Sequence, residues 1–227
     1  MRTVIAGGHG KIARQLERLL ADRGDTPVGL IRDPDQAGDL RAEGADAVVC
    51  DLESASVEQV AGHLEGADAA VFAAGAGPGS GAARKDTVDR GAAVLFADAA
   101  ERAGVRRFLV VSAMRADEEP PPGMDPVFAA YLRAKGAADA AVRTGTGLDW
   151  TILRPGRLTD GPATGRVTLA ERTGRDEVTR ADVAAVLVAL LDEPRTAGRT
   201  LELIGGDTPV AAAVAAAATT DGGTAAG

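Results

Sequence analysis

The chain has 227 residues, 45% of them apolar and 26% charged, with a formal net charge of −8. That length and balance fit one α/β domain with a sizeable core, and the acidic surplus argues against non-specific nucleic-acid binding. The single cysteine, Cys50, excludes an intrachain disulfide and gives no zinc spacing, and no run of 18 apolar residues offers a membrane span.

Apolar strands alternate with amphipathic helical patterns along the chain. "RTVIA" reads as a first strand, followed by a helix from about Lys11 to Arg23. "TPVGLI" is a second strand and "PDQAGDLRAEG" a short helix closed by Gly44. "ADAVVC" is a third strand, with Cys50 as a small apolar residue at its end, and "SVEQVAGHLEG" a helix capped by Ser54 or Ser56. "ADAAVFAAG" is the fourth strand, and residues 84–103 form one alanine-rich helix that stops at Gly104. "VRRFLVVSA" is the fifth strand. A proline-rich interruption, "EEPPPGMDP", precedes a helix from about Val127 to Arg143. "LDWTILRP" is a sixth strand, "RVTLA" a candidate short strand, "RADVAAVLVALLDEP" a helix ended by Pro194, and "RTLELIG" a last strand. The polar, Gly-rich tail of residues 219–227 reads as disordered. The first strand begins beside Met1, which leaves no room for a signal peptide and predicts a cytoplasmic protein.

Repeated βαβ units predict a doubly wound, mostly parallel sheet, a Rossmann fold with helices on both faces. Residues 1–218 are expected to form one such domain, with a small C-terminal substrate lobe from about 155 to 205. Ligands in such sheets bind beyond the carboxyl ends of the strands.

After the first strand, Gly7, Gly10 and Ala13 match G-x-x-G-x-x-[GA]. Gly7 permits a sharp turn, Gly10 lets backbone approach a pyrophosphate, and Ala13 allows close helix packing. The helix opening at Lys11 and Ile12 offers free N–H groups to phosphate. His9 in the same turn reads as an exposed residue or a phosphate contact. Arg32 stands at the tip of the second strand and would pair with a 2′-phosphate, which favours NADP over NAD. Asp33 follows it, and a shift of one residue in the strand end would reverse that preference. Asp51 and Leu52 are placed to touch adenine. Ala73, Ala74 and Gly75 give a bare backbone beside the second ribose and the phosphates.

Tyr131 and Lys135 stand at i and i+4 on one helix face. A neighbouring ammonium would lower the phenol pKa and let the tyrosine act as general acid as hydride arrives. Ser112, at the end of the fifth strand, would bind the substrate oxygen. Phe72, Phe128, Tyr131 and Trp150 are the aromatics available for a stacking site. The loops Gly75–Asp86, Arg115–Asp125 and Arg157–Arg175 are expected to cover it. Lys85 reads as a solvated charge or a contact to phosphate or substrate.

The pieces "IAGGHGKIA", "IRDP", "AAERAGVRRFLVVSA", "YLRAKGAAD", "LDWTILRPGRLTD" and "TRADVAAVLVALLD" span most of residues 1–205. They resemble the atypical short-chain dehydrogenase/reductases, in the compact branch of flavin reductase/biliverdin-IXβ reductase-like and NmrA-like NAD(P)-binding proteins. The resemblance implies an NADPH-dependent oxidoreductase that passes hydride to a small or planar acceptor such as a carbonyl, quinone or flavin. It implies Ser112, Tyr131 and Lys135 as the catalytic set and Pro155, in "LRPG", beside the nicotinamide. Nineteen positions separate Ser112 from Tyr131, more than in typical short-chain enzymes. With 73 residues after Arg154, a sugar-enclosing lobe is not expected. The alternative is a non-catalytic NAD(P) sensor of the NmrA type. The expected partners are a small-molecule substrate and, at most, a second copy in a homodimer, with no metal.

Overall fold

The computed structural model describes residues 1–77, 79–145 and 147–219. Alternate residues of each strand go to opposite faces. In β1 (Arg2–Ala6), Val4 and Ala6 join one apolar cluster and Ile5 the other. The same split recurs in β4 (Ala69–Phe72), where Ala70 and Phe72 oppose Ala69 and Val71. Continuous apolar strands are thus covered on both sides, as a parallel sheet requires.

The sheet has nine strands in the order β11-β8-β10-β6-β5-β4-β1-β2-β3. Besides β1 and β4, the strands β2 (Thr26–Ile31), β3 (Asp46–Val49), β5 (Arg107–Val111), β6 (Asp149–Pro155) and β10 (Arg199–Gly205) run parallel. At one edge β8 (Arg166–Ala170) is antiparallel to β10, and β11 (Thr208–Pro209) antiparallel to β8. Helices α1 (Lys11–Asp22), α7 (Arg180–Leu191) and α8 (Val210–Thr219) cover one face. Helices α3 (Val57–Leu64), α5 (Ala93–Arg102) and α6 (Pro126–Gly145) cover the other. Three buried phenylalanines fill the second cluster, with Phe96 5.7 Å from Phe108 and 6.2 Å from Phe72 between ring centroids. This Rossmann-like α/β architecture is the one the sequence predicts.

The chain runs outward from β1 through β2 to β3, then returns to β4 on the other side of β1. Ala6 pairs with both Leu30 and Phe72, so the three strands end level and open a crevice beyond β1.

Several details differ from the sequence reading. The predicted helix 84–103 is three segments: a short α4 (Ala82–Arg84), a π-helix (Lys85–Ala92) and α5. The expected loop 157–175 contains β8 and also β7 (Arg157–Thr159), which pairs with β9 (Glu177–Thr179) in a second, parallel ribbon. Strands of two or three residues carry too little periodicity to be read. The alanine-rich α8 follows β11, and Thr219 closes it; the rest of the predicted tail, 220–227, lies outside the described residues. Ser56, not Ser54, caps α3, in a capping box with Gln59.

Candidate functional site

The turn after β1 needs glycine for two reasons. Gly7 has φ +78°, and a Cβ there would stand 2.6 Å from the Cα of Ala74. At Gly10, a Cβ would stand 3.0 Å from the carbonyl oxygen of Gly7. Gly10 is the N-cap of α1, with no side-chain cap and no acidic residue in the first turn. The N–H groups at this helix start are therefore free of side-chain acceptors, and the partial positive charge there is unopposed. Ala13 is fully buried against the sheet, and Ile12 packs beside it. The Lys11 side chain turns away: its Nζ meets Asp160 Oδ2 at 2.7 Å, leaving only its backbone at the turn.

A groove of about 410 Å³ runs from this turn across the strand ends. Gly7, His9 and Gly10 line one part, Ala73, Ala74 and Gly75 the floor, and Arg32, Asp51 and Leu52 the far end. Arg32, not Asp33, borders it. Asp33 caps the short 3₁₀ turn Pro34–Gln36 by accepting from the Asp35 N–H at 3.0 Å. His9 Nε2 lies 2.7 Å from Asp39 Oδ2. Cys50 is half-buried on the groove wall, where burial and Asp51 push its thiol pKa up. Two charged side chains that the sequence did not single out also line the groove, Glu53 and Arg84.

Behind the floor lies a buried charged layer. Lys135 Nζ donates to the Val111 carbonyl at 3.1 Å and the Ala74 carbonyl at 3.5 Å, and stands 3.4 Å from Asp89 Oδ1. Burial pulls the lysine pKa down, while Asp89 and Asp139 push the other way. Asp89 comes from the π-helix. A signal for it exists in the sequence: Asp89, Ala92, Ala93 and Phe96 fall on one helical stripe, and all are buried. An acid inside an apolar stripe marks a buried partner.

The predicted catalytic set is only partly assembled. Tyr131 does lie beside Lys135, whose Nζ is 6.0 Å from its ring centroid, and Lys85 Nζ is 5.4 Å from the same ring. The phenol pKa, however, is raised rather than lowered. Burial is the main cause, followed by the negative charges of Asp89 and Asp139. Ser112 is buried and donates to Asp139 Oδ2 at 2.9 Å, not toward the groove. The same oxygen accepts from Arg154 Nε and Nη2 at 3.0 and 2.8 Å. Among the described residues no hydrogen bond joins Ser112 to Tyr131. Pro155 is buried at the end of β6, and its carbonyl accepts from the Met114 N–H at 3.4 Å.

Of the aromatics named for stacking, Phe72 is fully buried in the core and Trp150 packs partly buried against it. Phe128 is half-exposed and stacks on Tyr131 with centroids 5.8 Å apart. Lys85 donates to the Gly77 carbonyl at 2.9 Å, tying down the loop after β4.

The profile of the NAD(P)H-binding family matches residues 7–194, from the glycine turn through α7. The chain belongs to that family. It is 36% identical over 215 residues to an uncharacterized sugar epimerase, YhfK, of Bacillus subtilis, covering 94% of this chain and 99% of that one. An NAD-dependent epimerase/dehydratase candidate from Bacillus halodurans superposes with a TM-score of 0.87 at 37% identity, over 95% of this chain and 99% of that one. ChuY, an anaerobilin reductase from Escherichia coli O157:H7, superposes with a TM-score of 0.77 at 26% identity, over 91% and 98%.

The residues present fit a dinucleotide. The glycine cradle would be filled by any Cβ, the α1 N-terminus lacks a side-chain cap, and two arginines border the far end. A nicotinamide cofactor supplies hydride when bound. Among the described residues no cluster of three His, Cys, Asp or Glu could hold a metal ion, and no helix is long and apolar enough to cross a membrane.

Proposed function

We propose that the chain is an NADPH-dependent oxidoreductase of the atypical short-chain dehydrogenase/reductase type, acting on a small or planar acceptor. The observation that carries this is the buried Lys135–Asp89 pair, 3.4 Å apart, directly behind the groove floor at Ala74. Such a pair costs desolvation and adds little to folding, so its position beside a dinucleotide groove points to use. In this reading the turn from Gly7 to Ile12 holds the pyrophosphate, Arg32 meets the adenosine phosphate, and Asp51 and Leu52 border adenine. Ala73–Gly75 and Pro155 flank the nicotinamide half, and Lys135 orients its ribose. Phe128 and Tyr131 form the platform for the acceptor. Tyr131 keeps its proton across the ordinary pH range, and Ser112 serves Asp139. Burial makes the Tyr131 phenol a weak acid, and Ser112 is turned to Asp139, so this reading favours an acceptor that can take its proton from solvent, as a flavin or quinone can.

The test is a titration with NADPH and NADH, followed by fluorescence of the bound nicotinamide, then turnover with a carbonyl, quinone and flavin panel. NADPH binding at least about tenfold tighter, roughly 1.4 kcal/mol, together with acceptor-dependent oxidation supports the reading. Tyr131→Phe is expected to keep flavin or quinone reduction within about threefold. A loss of a hundredfold would restore Tyr131 as the proton donor. Binding without turnover on any acceptor would favour the sensor reading. The epimerase names of the relatives support a second reading. It would require the cofactor to be recovered in its starting oxidation state after each turnover, which the absorbance of the nicotinamide before and after turnover reads.

A further inference from the structure

Three elements aim donors at one carboxylate at the far end of the groove. Glu53 lies between β3 and α3. Its Oε2 accepts from Arg84 Nη2, on α4, at 2.9 Å. Its Oε1 accepts from the Thr87 hydroxyl, on the π-helix, at 2.8 Å. Arg32 Nη1, just past β2, stands 3.7 Å from Oε2, an ion pair without a hydrogen bond. Arg32 and Arg84 both line the groove with Glu53. Two guanidiniums and a hydroxyl converging from separate elements are the donor set of a phosphate dianion, with more donors than one carboxylate uses.

We propose that Glu53 is the residue that sets the preference between phosphorylated and unphosphorylated dinucleotides, because its carboxylate holds the position between Arg32 and Arg84 that a 2′-phosphate needs. The inference rests on reading the groove as the dinucleotide site. A 2′-phosphate carries more charge and more acceptors than a carboxylate, so it takes the arginines and expels Glu53. The expelled carboxylate has somewhere to go, since Glu53 is already partly exposed in a loop. NADH brings no anion to this point, leaves Glu53 in place, and incurs no such penalty. The arginines alone would make the chain strongly NADPH-selective, and Glu53 tempers that selectivity.

The experiment compares 2′,5′-ADP with 5′-AMP, and NADPH with NADH, on the full chain, by calorimetry. Glu53→Gln is expected to bind 2′,5′-ADP and NADPH about tenfold more tightly, with AMP and NADH within about twofold. Arg84→Gln is expected to weaken 2′,5′-ADP and NADPH about tenfold and to spare AMP and NADH. Thermal unfolding of each variant checks that it is folded, and Glu53→Ala repeats the test with the side chain removed. Unchanged NADPH affinity in both Glu53 variants, with tight binding by the parent, would overturn the inference and leave the cofactor reading standing. Equal gains for NADPH and NADH would overturn it too, since Glu53 would then act through overall charge. No binding of any of the four probes to the parent would overturn both.

Discussion

Glu17 offers a test of the physics beneath the glycine turn. It is fully buried on the inner face of α1, and neither carboxyl oxygen has a hydrogen-bond partner. Its Oε1 sits 2.9 Å from where a Cβ at Gly8 would be and 2.5 Å from one at Gly29. Burial is the main reason its pKa rises from 4.5 to about 8; the charge of Glu43 adds to this, and Arg14 opposes it. Arg14 is itself engaged, with Nη2 2.8 Å from Glu43 Oε1. Between pH 4.5 and 8 the folded chain holds a proton that the unfolded chain has released. Stability contributed by this site is therefore full below pH 4.5 and falls as pH rises to 8, by up to about 1.4 kcal/mol per unit. Above pH 8 the loss levels off at roughly 3–5 kcal/mol. Glu17→Gln removes the titration. Urea unfolding at pH 5, 6, 7 and 8 should show the variant gaining on the parent by about 3–4 kcal/mol from pH 5 to pH 8. A difference between the two proteins that stays constant over that range would refute the reasoning.

Other expectations follow from the same geometry. Asp89→Asn or Lys135→Met alone should each destabilise by about 3 kcal/mol, because each strands a buried partner, while the double variant should recover much of the loss in a double-mutant cycle. Gly7→Ala should destabilise by at least about 1–2 kcal/mol and weaken NADPH binding at least tenfold, read by unfolding and by fluorescence titration. Ser112→Ala should lower stability by about 1.5–3 kcal/mol through its lost bond to Asp139, while kcat stays within about threefold. Ser56→Ala should cost about 1 kcal/mol through the α3 cap, without effect on cofactor affinity.

Much of the fold was legible because each strand is an apolar run punctuated by glycine, and each helix carries its own stop. Gly44 and Gly104 end helical segments at φ +80° and +75°, where a side chain is strained. The glycine turn could be read because its spacing carries a backbone requirement. The wiring of the charges behind the groove could not be read. Ser112, Asp139 and Arg154 come from the β5 end, α6 and β6, and only strand order brings them together. The i and i+4 spacing of Tyr131 and Lys135 predicts their contact but not the sign of the phenol shift, which depends first on burial and then on Asp89 and Asp139. For the same reason, Glu53 and Arg84 were not singled out in the sequence. Their meeting depends on how α4 reaches the loop between β3 and α3 and not on any local pattern.

The π-helix Lys85–Ala92 fits more residues into its turns than an α-helix of the same length would. In this stretch the count of residues, as much as their identity, aims the side chains. Deleting Gly91 would let the segment rewind toward α-helix and swing Asp89 by about 100° relative to α5. Every charged side chain would remain in the chain, yet Lys135 would lose its counter-ion. Drift in this site could thus come from a single-codon insertion or deletion that leaves every functional residue in place. A Gly91 deletion that kept the stability of the parent would show that the winding is incidental.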